Sequence, residues 1–244
     1  MNLFLATTIL LTLAAPAAAG ETCSLKMMAV KGGVSYSHEL PAVPGERASY
    51  AGPANKRGRG PQRELIFNAM LNEAGEGGFR LDYQVEVAEE KGPPRPPFQA
   101  QGKVPLRPGK QVLAASAAGW KLYFRLDGEA CAGERGWEKA GTLSARLKCG
   151  KLSYPVSFAY LTNEQYMTVL YEEPAENTVR RLTVGLLPGP SAFDGTFQLQ
   201  YVLNLREGGQ VITDSQGKVL LAPGGGSQHA AAGRGCSFTV TASR

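Results

Sequence analysis

Apolar and polar residues alternate with a period of two along five stretches of the chain. Phe79, Leu81, Tyr83, Val85 and Val87 are separated by Arg80, Asp82, Gln84 and Glu86. Phe197, Leu199, Tyr201, Leu203 and Leu205 repeat that pattern. Trp120–Leu126, Leu152–Tyr160 and Cys236–Val240 alternate in the same way. Successive side chains on a strand point to opposite faces, so each stretch predicts a strand with one buried face. Apolar runs at Leu65–Leu71, Tyr166–Tyr171 and Leu182–Leu187 predict further strands, and Gly, Pro and Asn clusters separate many of them. No long stretch sustains helical spacing, and alanine-rich Ala114–Ala118 spans a turn or two at most. The pattern predicts an all-β chain.

Two of these stretches belong to a repeat. Phe79-Arg-Leu-Asp-Tyr matches Phe197-Gln-Leu-Gln-Tyr, and Gln101-Gly-Lys-Val-Pro-Leu-Arg-Pro-Gly matches Gln216-Gly-Lys-Val-Leu-Leu-Ala-Pro-Gly at seven of nine positions. A weaker match sets Ala117-Ala-Gly before Trp120 beside Ala231-Ala-Gly before Cys236. Order is kept and the spacing is nearly constant. The period has the length of a domain, far beyond that of a solenoid unit. The reading is two tandem, internally duplicated β-sandwich domains, residues 21–130 and 142–244, joined by a Gly-rich linker at 131–141. Each copy has the size of an immunoglobulin-like sandwich, without the Cys…Trp…Cys spacing of true immunoglobulin domains.

Residues 1–20 hold an uncharged apolar run ending in Ala17-Ala-Ala, the pattern of a cleaved signal peptide. Glu21 and Thr22 before Cys23 do not fit a lipid-anchor motif, and no later stretch is long and apolar enough to span a bilayer. The expectation is a periplasmic or secreted protein with no integral span after signal removal. An even set of cysteines in such a chain implies disulfides. The favoured pairing is Cys23 with Cys131 and Cys149 with Cys236, each tying one copy. Cys131 with Cys149 and Cys23 with Cys236 is the alternative. No C-x-x-C occurs, so redox and zinc-ribbon chemistry are disfavoured.

Charge adds one candidate site. The net charge is only +5 over 244 residues, too weak a bias to identify a nucleic-acid partner. Lys56, Arg57, Arg59 and Arg63 nevertheless fall within one glycine-spaced segment, expected to be a flexible loop contacting an anionic partner. A stiff proline-rich insertion, 91–97, is present in the first copy alone.

Catalytic material is sparse. His38 is flanked by Ser37 and Glu39, but strand neighbours point to opposite faces and no G-x-S-x-G elbow occurs. His229 follows a glycine run and is expected on a loop. Its neighbourhood lacks the Gly-Lys-Ser/Thr that phosphate-loop chemistry needs. Glu89-Glu90 and Glu172-Glu173 are expected near turns, where adjacent carboxylates splay apart instead of facing one sugar. No metal motif and no cofactor motif appears. Trp120 fits the core pattern, and Trp137 in the linker is the freer aromatic.

The leading expectation is an exported, non-catalytic scaffold or interaction protein of a bacterial-type cell envelope that positions protein partners. A module binding carbohydrate or an anionic polymer is the alternative, and a hydrolase with a site assembled from distant residues is the third reading. The expected partner is an envelope protein or an anionic polysaccharide, not nucleic acid.

Overall fold

The computed structural model describes residues 23–74, 78–89, 98–128, 131, 141–160, 166–175, 178–233 and 235–243. The leader, the 91–97 insertion, Glu90, Trp137 and the linker apart from Cys131 and Gly141 lie outside the described residues. The first copy supplies β1 (Cys23–Lys31), β2 (Val34–Ala42), β3 (Arg47–Pro53), β4 (Asn55–Arg57), β5 (Arg63–Ala74), β6 (Gly78–Glu89), β7 (Phe98–Leu106), β8 (Gln111–Ala117) and β9 (Trp120–Asp127). The second supplies β10 (Gly141–Cys149), β11 (Leu152–Tyr160), β12 (Met167–Ala175), β13 (Thr178–Ser191), β14 (Phe197–Glu207), β15 (Gln210–Leu221), β16 (Gln228–Ala231) and β17 (Cys236–Ser243). Ala114–Ala117 of the alanine-rich run go into β8, and Ala118 turns the chain toward β9. A register shift between Leu113 and Ala115 turns both Ala114 and Ala115 into the core.

Two sheets result. Sheet A has nine strands in the order β16-β17-β10-β11-β8-β9-β1-β2-β4, and sheet B has eight in the order β15-β14-β13-β12-β7-β6-β5-β3. Each copy contributes the same run, β8-β9-β1-β2 matching β16-β17-β10-β11 and β7-β6-β5-β3 matching β15-β14-β13-β12. The copies meet where β11 pairs with β8 (Val156–Phe158 on Ala115–Ala117) and β12 pairs with β7 (Thr168–Tyr171 on Phe98–Gln101). Both sheets therefore pass through both copies, where the repeat alone predicts two sandwiches in tandem.

The alternating residues face inward as the sequence requires. Phe79, Leu81, Tyr83, Val85 and Val87 on β6 are buried, as are their counterparts on β14. Aromatic contacts lock the sheets together. Phe124 on β9 lies 5.7 Å from Phe67 and 4.9 Å from Tyr83, and Phe98 on β7 stacks on Trp120 at 5.3 Å. In the second copy Tyr201 meets Phe238 at 4.9 Å. Fully burying such side chains is worth about 1.5–3 kcal/mol each.

Both disulfides form as the favoured pairing expects, Cys23 with Cys131 and Cys149 with Cys236. The second joins directly opposed residues on β10 and β17, with Cα atoms 4.2 Å apart. Lys31 closes the first copy's hairpin as Cys149 closes the second's, and Trp120 opens β9 as Cys236 opens β17. There the Lys31 ammonium lies 5.3 Å from the centre of the Trp120 ring. A cation–π contact worth about 0.5–2 kcal/mol thus takes the place of a bridge worth about 2–4 kcal/mol.

The conserved spacing within the repeat also has a structural cause. Tyr83 is the cross-strand partner of Gly102, and Tyr201 of Gly217. A Cβ at 217 would sit 2.5 Å from the Tyr201 hydroxyl, and one at 102 would sit 3.2 Å from that of Tyr83. The tyrosine fills the room its opposite glycine leaves, which fixes register in each copy. Gly217→Ala is expected to cost about 1–3 kcal/mol by overpacking. Gly102→Ala, with more room, should cost measurably less. Chemical denaturation of the two variants checks the ranking.

Candidate functional site

The four cations singled out in the sequence do not stay together. Lys56 and Arg57 lie on β4, an edge strand paired to Ser35–Ser37 of β2, so the segment is partly a strand instead of wholly a loop. Both are exposed, as is Arg59. The Lys56 ammonium donates to the Gly60 carbonyl at 2.7 Å. Arg63 instead begins β5 and turns inward. Its guanidinium lies 5.7 Å from the Tyr36 ring centre and 5.6 Å from that of Trp120, and its Nε donates to the Tyr36 hydroxyl at 3.3 Å.

Other candidates fall into structural roles. His229 sits on β16, where its Nδ1 is 3.1 Å from the Thr239 hydroxyl, not on a loop. Glu172 and Glu173 sit within β12, not at a turn. Glu172 accepts from Arg181 Nε at 2.6 Å. Glu173 accepts from Arg180 at 2.9 Å and from the Tyr154 hydroxyl at 2.8 Å, and Arg180 also reaches Glu207 at 2.7 Å. Burial and the nearby Glu173 carboxylate push the Tyr171 phenol up to about 12. Lys31, 4.9 Å from the Tyr171 ring centre, is held below the usual lysine range by burial and the Arg63 charge. Carboxylates bonded this way are committed to a frame within the second copy that spans β11 to β14. Trp120 is buried in the core. Among the described residues no group of three or more His, Cys, Asp or Glu gathers to hold a metal.

The outer face of sheet B presents a different arrangement. One cross-strand row traverses all eight strands: Ser49, Asn68, Gln84, Gln101, Thr168, Gly185, Val202 and Gln216. At the ordinary strand spacing it is about 30 Å long. It passes through the seam at Gln101 and Thr168, so neither copy contains it alone. Asn68 Nδ2 donates to Gln84 Oε1 at 3.4 Å, and Gln84 Nε2 to Glu86 Oε1 at 3.1 Å. The Thr168 hydroxyl is buried with no hydrogen-bond partner.

Tyr166 lies across this row. Its ring rests on Gly185 so closely that a Cβ there would fall inside it, and the side chain is 37% exposed. A groove opens on each side. The first, about 540 Å³, is lined by Asn68, Asp82, Gln84, Gln101 and Gly102, and the second, about 400 Å³, by Leu187, Gln200, Val202, Gln216 and Gly217. Gln101-Gly102 and Gln216-Gly217 are repeat equivalents, so the grooves are copies of one another with Tyr166 as the ridge between them. Asp82 is paired with Lys103 at 3.6 Å.

Comparison with protein-family models, curated proteins and solved structures finds no match. The amide row was not singled out in the sequence, although a signal was present. Asn68, Gln84, Gln101, Gln200 and Gln216 occupy the outward positions of strands whose inward positions are apolar. These amides stand among charged residues on the same face, Asp82 and Glu86 on β6, Lys103 on β7 and Lys218 on β15.

His38 stacks on Tyr50 with ring centres 3.4 Å apart, closing the first copy's free end between β2 and β3. Burial holds its pKa below the usual value of 6.5. Protonation is thus harder in the fold than in the unfolded chain. The stabilisation is complete above about pH 6.5 and is lost as pH falls through the folded value. An NMR titration should place His38 below the ordinary histidine value, and His38→Gln should flatten the acid side of the stability curve.

Proposed function

We propose that this chain is an exported, non-catalytic interaction protein of the cell envelope, which holds its partner against the outer face of sheet B. The unbroken row across eight strands carries the reading. It forms because the two copies share both sheets, and this explains why a duplicated chain would be kept as one body. Two disulfides suit an oxidising compartment outside the cytoplasm. The acids and bases of β12–β14 are engaged with one another, which suits a frame better than a proton-transferring site.

A photo-cross-linking residue placed at Gln84 or Gln101 tests the assignment in cells. One specific adduct should form from either position, vanish in Tyr166→Ala, and be absent with the probe at Lys148 on sheet A. No adduct from sheet B overturns it.

The exposed Lys56, Arg57 and Arg59 on edge strand β4 favour a second reading, in which an anionic polymer docks there. Adduct formation at β4, lost when the three cations are changed to Gln, would select it over the first.

A further inference from the structure

We propose that the ligand of the sheet B face is a neutral polysaccharide chain, laid across the strands along the amide row with one sugar ring stacked on Tyr166. The inference rests on reading the chain as a non-catalytic binding protein and names the chemistry that its face recognises.

A sugar ring offers adjacent hydroxyls, each both donor and acceptor, and an apolar ring face. Primary amides are the side chains that meet adjacent hydroxyls best. Each is planar, with two N–H donors and a carbonyl acceptor on one group. Asn68 spends one donor on Gln84, and Gln84 one on Glu86, which pre-orients both and leaves capacity on each amide. The partnerless Thr168 hydroxyl lies between Gln101 and Gly185 in the same row. That oxygen is closed off from the surface, so recognition rests on the amides and the tyrosine. Tyr166 supplies the aromatic surface that an apolar ring face needs, anchored on the bare backbone of Gly185.

Charge selects the class of polymer. The row itself contains no ionised residue, and the charges around it are of both signs: Asp82 paired with Lys103, Glu86 bonded to Gln84, and Arg47 and Lys218 at the two grooves. An anionic polymer would be drawn instead to Lys56, Arg57 and Arg59 at the far edge of sheet A. A protein interface would be centred on several buried aromatic or arginine anchors, whereas this row offers one aromatic, Tyr166, and one exposed aliphatic, Val202, among amides and hydroxyls. The outer face of sheet A also carries hydroxyls, but they bond one another: Ser116 with Ser157 at 2.7 Å, and Ser227 with Thr241 at 2.9 Å.

The two grooves flanking Tyr166 extend the site beyond a single sugar. Affinity should therefore rise with chain length from a disaccharide to a hexasaccharide.

The test is affinity electrophoresis of the full, oxidised chain in gels containing mixed-linkage glucan, galactomannan, xylan or alginate. Titration with hexasaccharide and disaccharide from the retarding polymer follows. At least one neutral polymer should retard the protein. Tyr166→Ala, and Gln84→Ala combined with Gln101→Ala, should each weaken binding at least tenfold without lowering the thermal midpoint. Tyr166→Phe should retain it, and Lys148→Gln should bind as the parent does. Retardation by no neutral polymer overturns the proposal. So does retardation by alginate alone, or binding that is indifferent to Tyr166 and the amides. If Tyr166→Ala fails to fold, the amide pair and Tyr166→Phe still decide. A protein captured by the face, with no glycan binding, overturns the glycan and leaves the binding reading standing. Release of reducing sugar from a bound polymer overturns the non-catalytic reading itself.

Discussion

The architecture depends on the strand pairing at the seam. Three residue pairs join β11 to β8 and four join β12 to β7. Without them each copy would be a pair of short sheets with open edges at both ends. With them, side-chain rows that would stop at one copy's edge carry on into the next. Strand register has a period of two, so a slip of one residue at either junction would send every outward side chain of one copy inward. The outer row is therefore continuous only because β12 holds its register on β7. The Lys31, Tyr171 and Glu173 contacts beside the seam help fix it, since they engage side chains from both copies.

The two outer ends show what becomes of the same strands when no neighbour copy covers them. Val156 and Val169 are buried at the seam. Following the register outward from the repeat, their counterparts at the free end are His38 and Tyr50, which stack on each other. At the opposite end, Phe98 corresponds to Thr213, buried and donating its hydroxyl to the Ala232 carbonyl. Aliphatic and aromatic residues at the internal joint give way to partly polar, mutually satisfied pairs at the ends. Repeat proteins finish their terminal units in this way, because an apolar end would template further copies. Strand β4 adds to the protection by pairing with β2 and placing lysine and arginine on the edge.

Much of this was legible in the sequence, and what was not has identifiable causes. Alternation located the strands because burial on one face is a local, period-two property. The repeat marked the copies and even the cross-strand Tyr–Gly pairs, though as identical letters, not as contacts. The disulfides followed from the inward position of Cys236 and from pairing the start of each copy with its end. The joint between copies could not be read, since pairing of β8 with β11 is a long-range choice that no local pattern encodes. The loss of Arg63 from the basic cluster had a similar cause. Its aromatic partners Tyr36 and Trp120 lie on other strands. His229 and Glu172-Glu173 misled because nearby Gly and Pro suggested turns, whereas long strands ran through those positions.

The two outer faces differ in a way that separates solubility from recognition. A face meant merely to be soluble is served by any polar side chain, and sheet A uses short hydroxyls and cations. Hydroxyls within reach of each other satisfy one another, as Ser116 and Ser157 do. Along its central row sheet B adds amides, which cost more side-chain entropy to hold in place and carry more bonding groups than neighbours on a strand can satisfy. Solubility alone does not require that choice, nor does it require a tyrosine laid on a glycine in the middle of the face. Gly185 weakens a central strand by leaving no side chain to pack, and Tyr166 turns that weakness into a platform. Features that cost stability and serve no core are the ones function must account for, and here they lie along a single row.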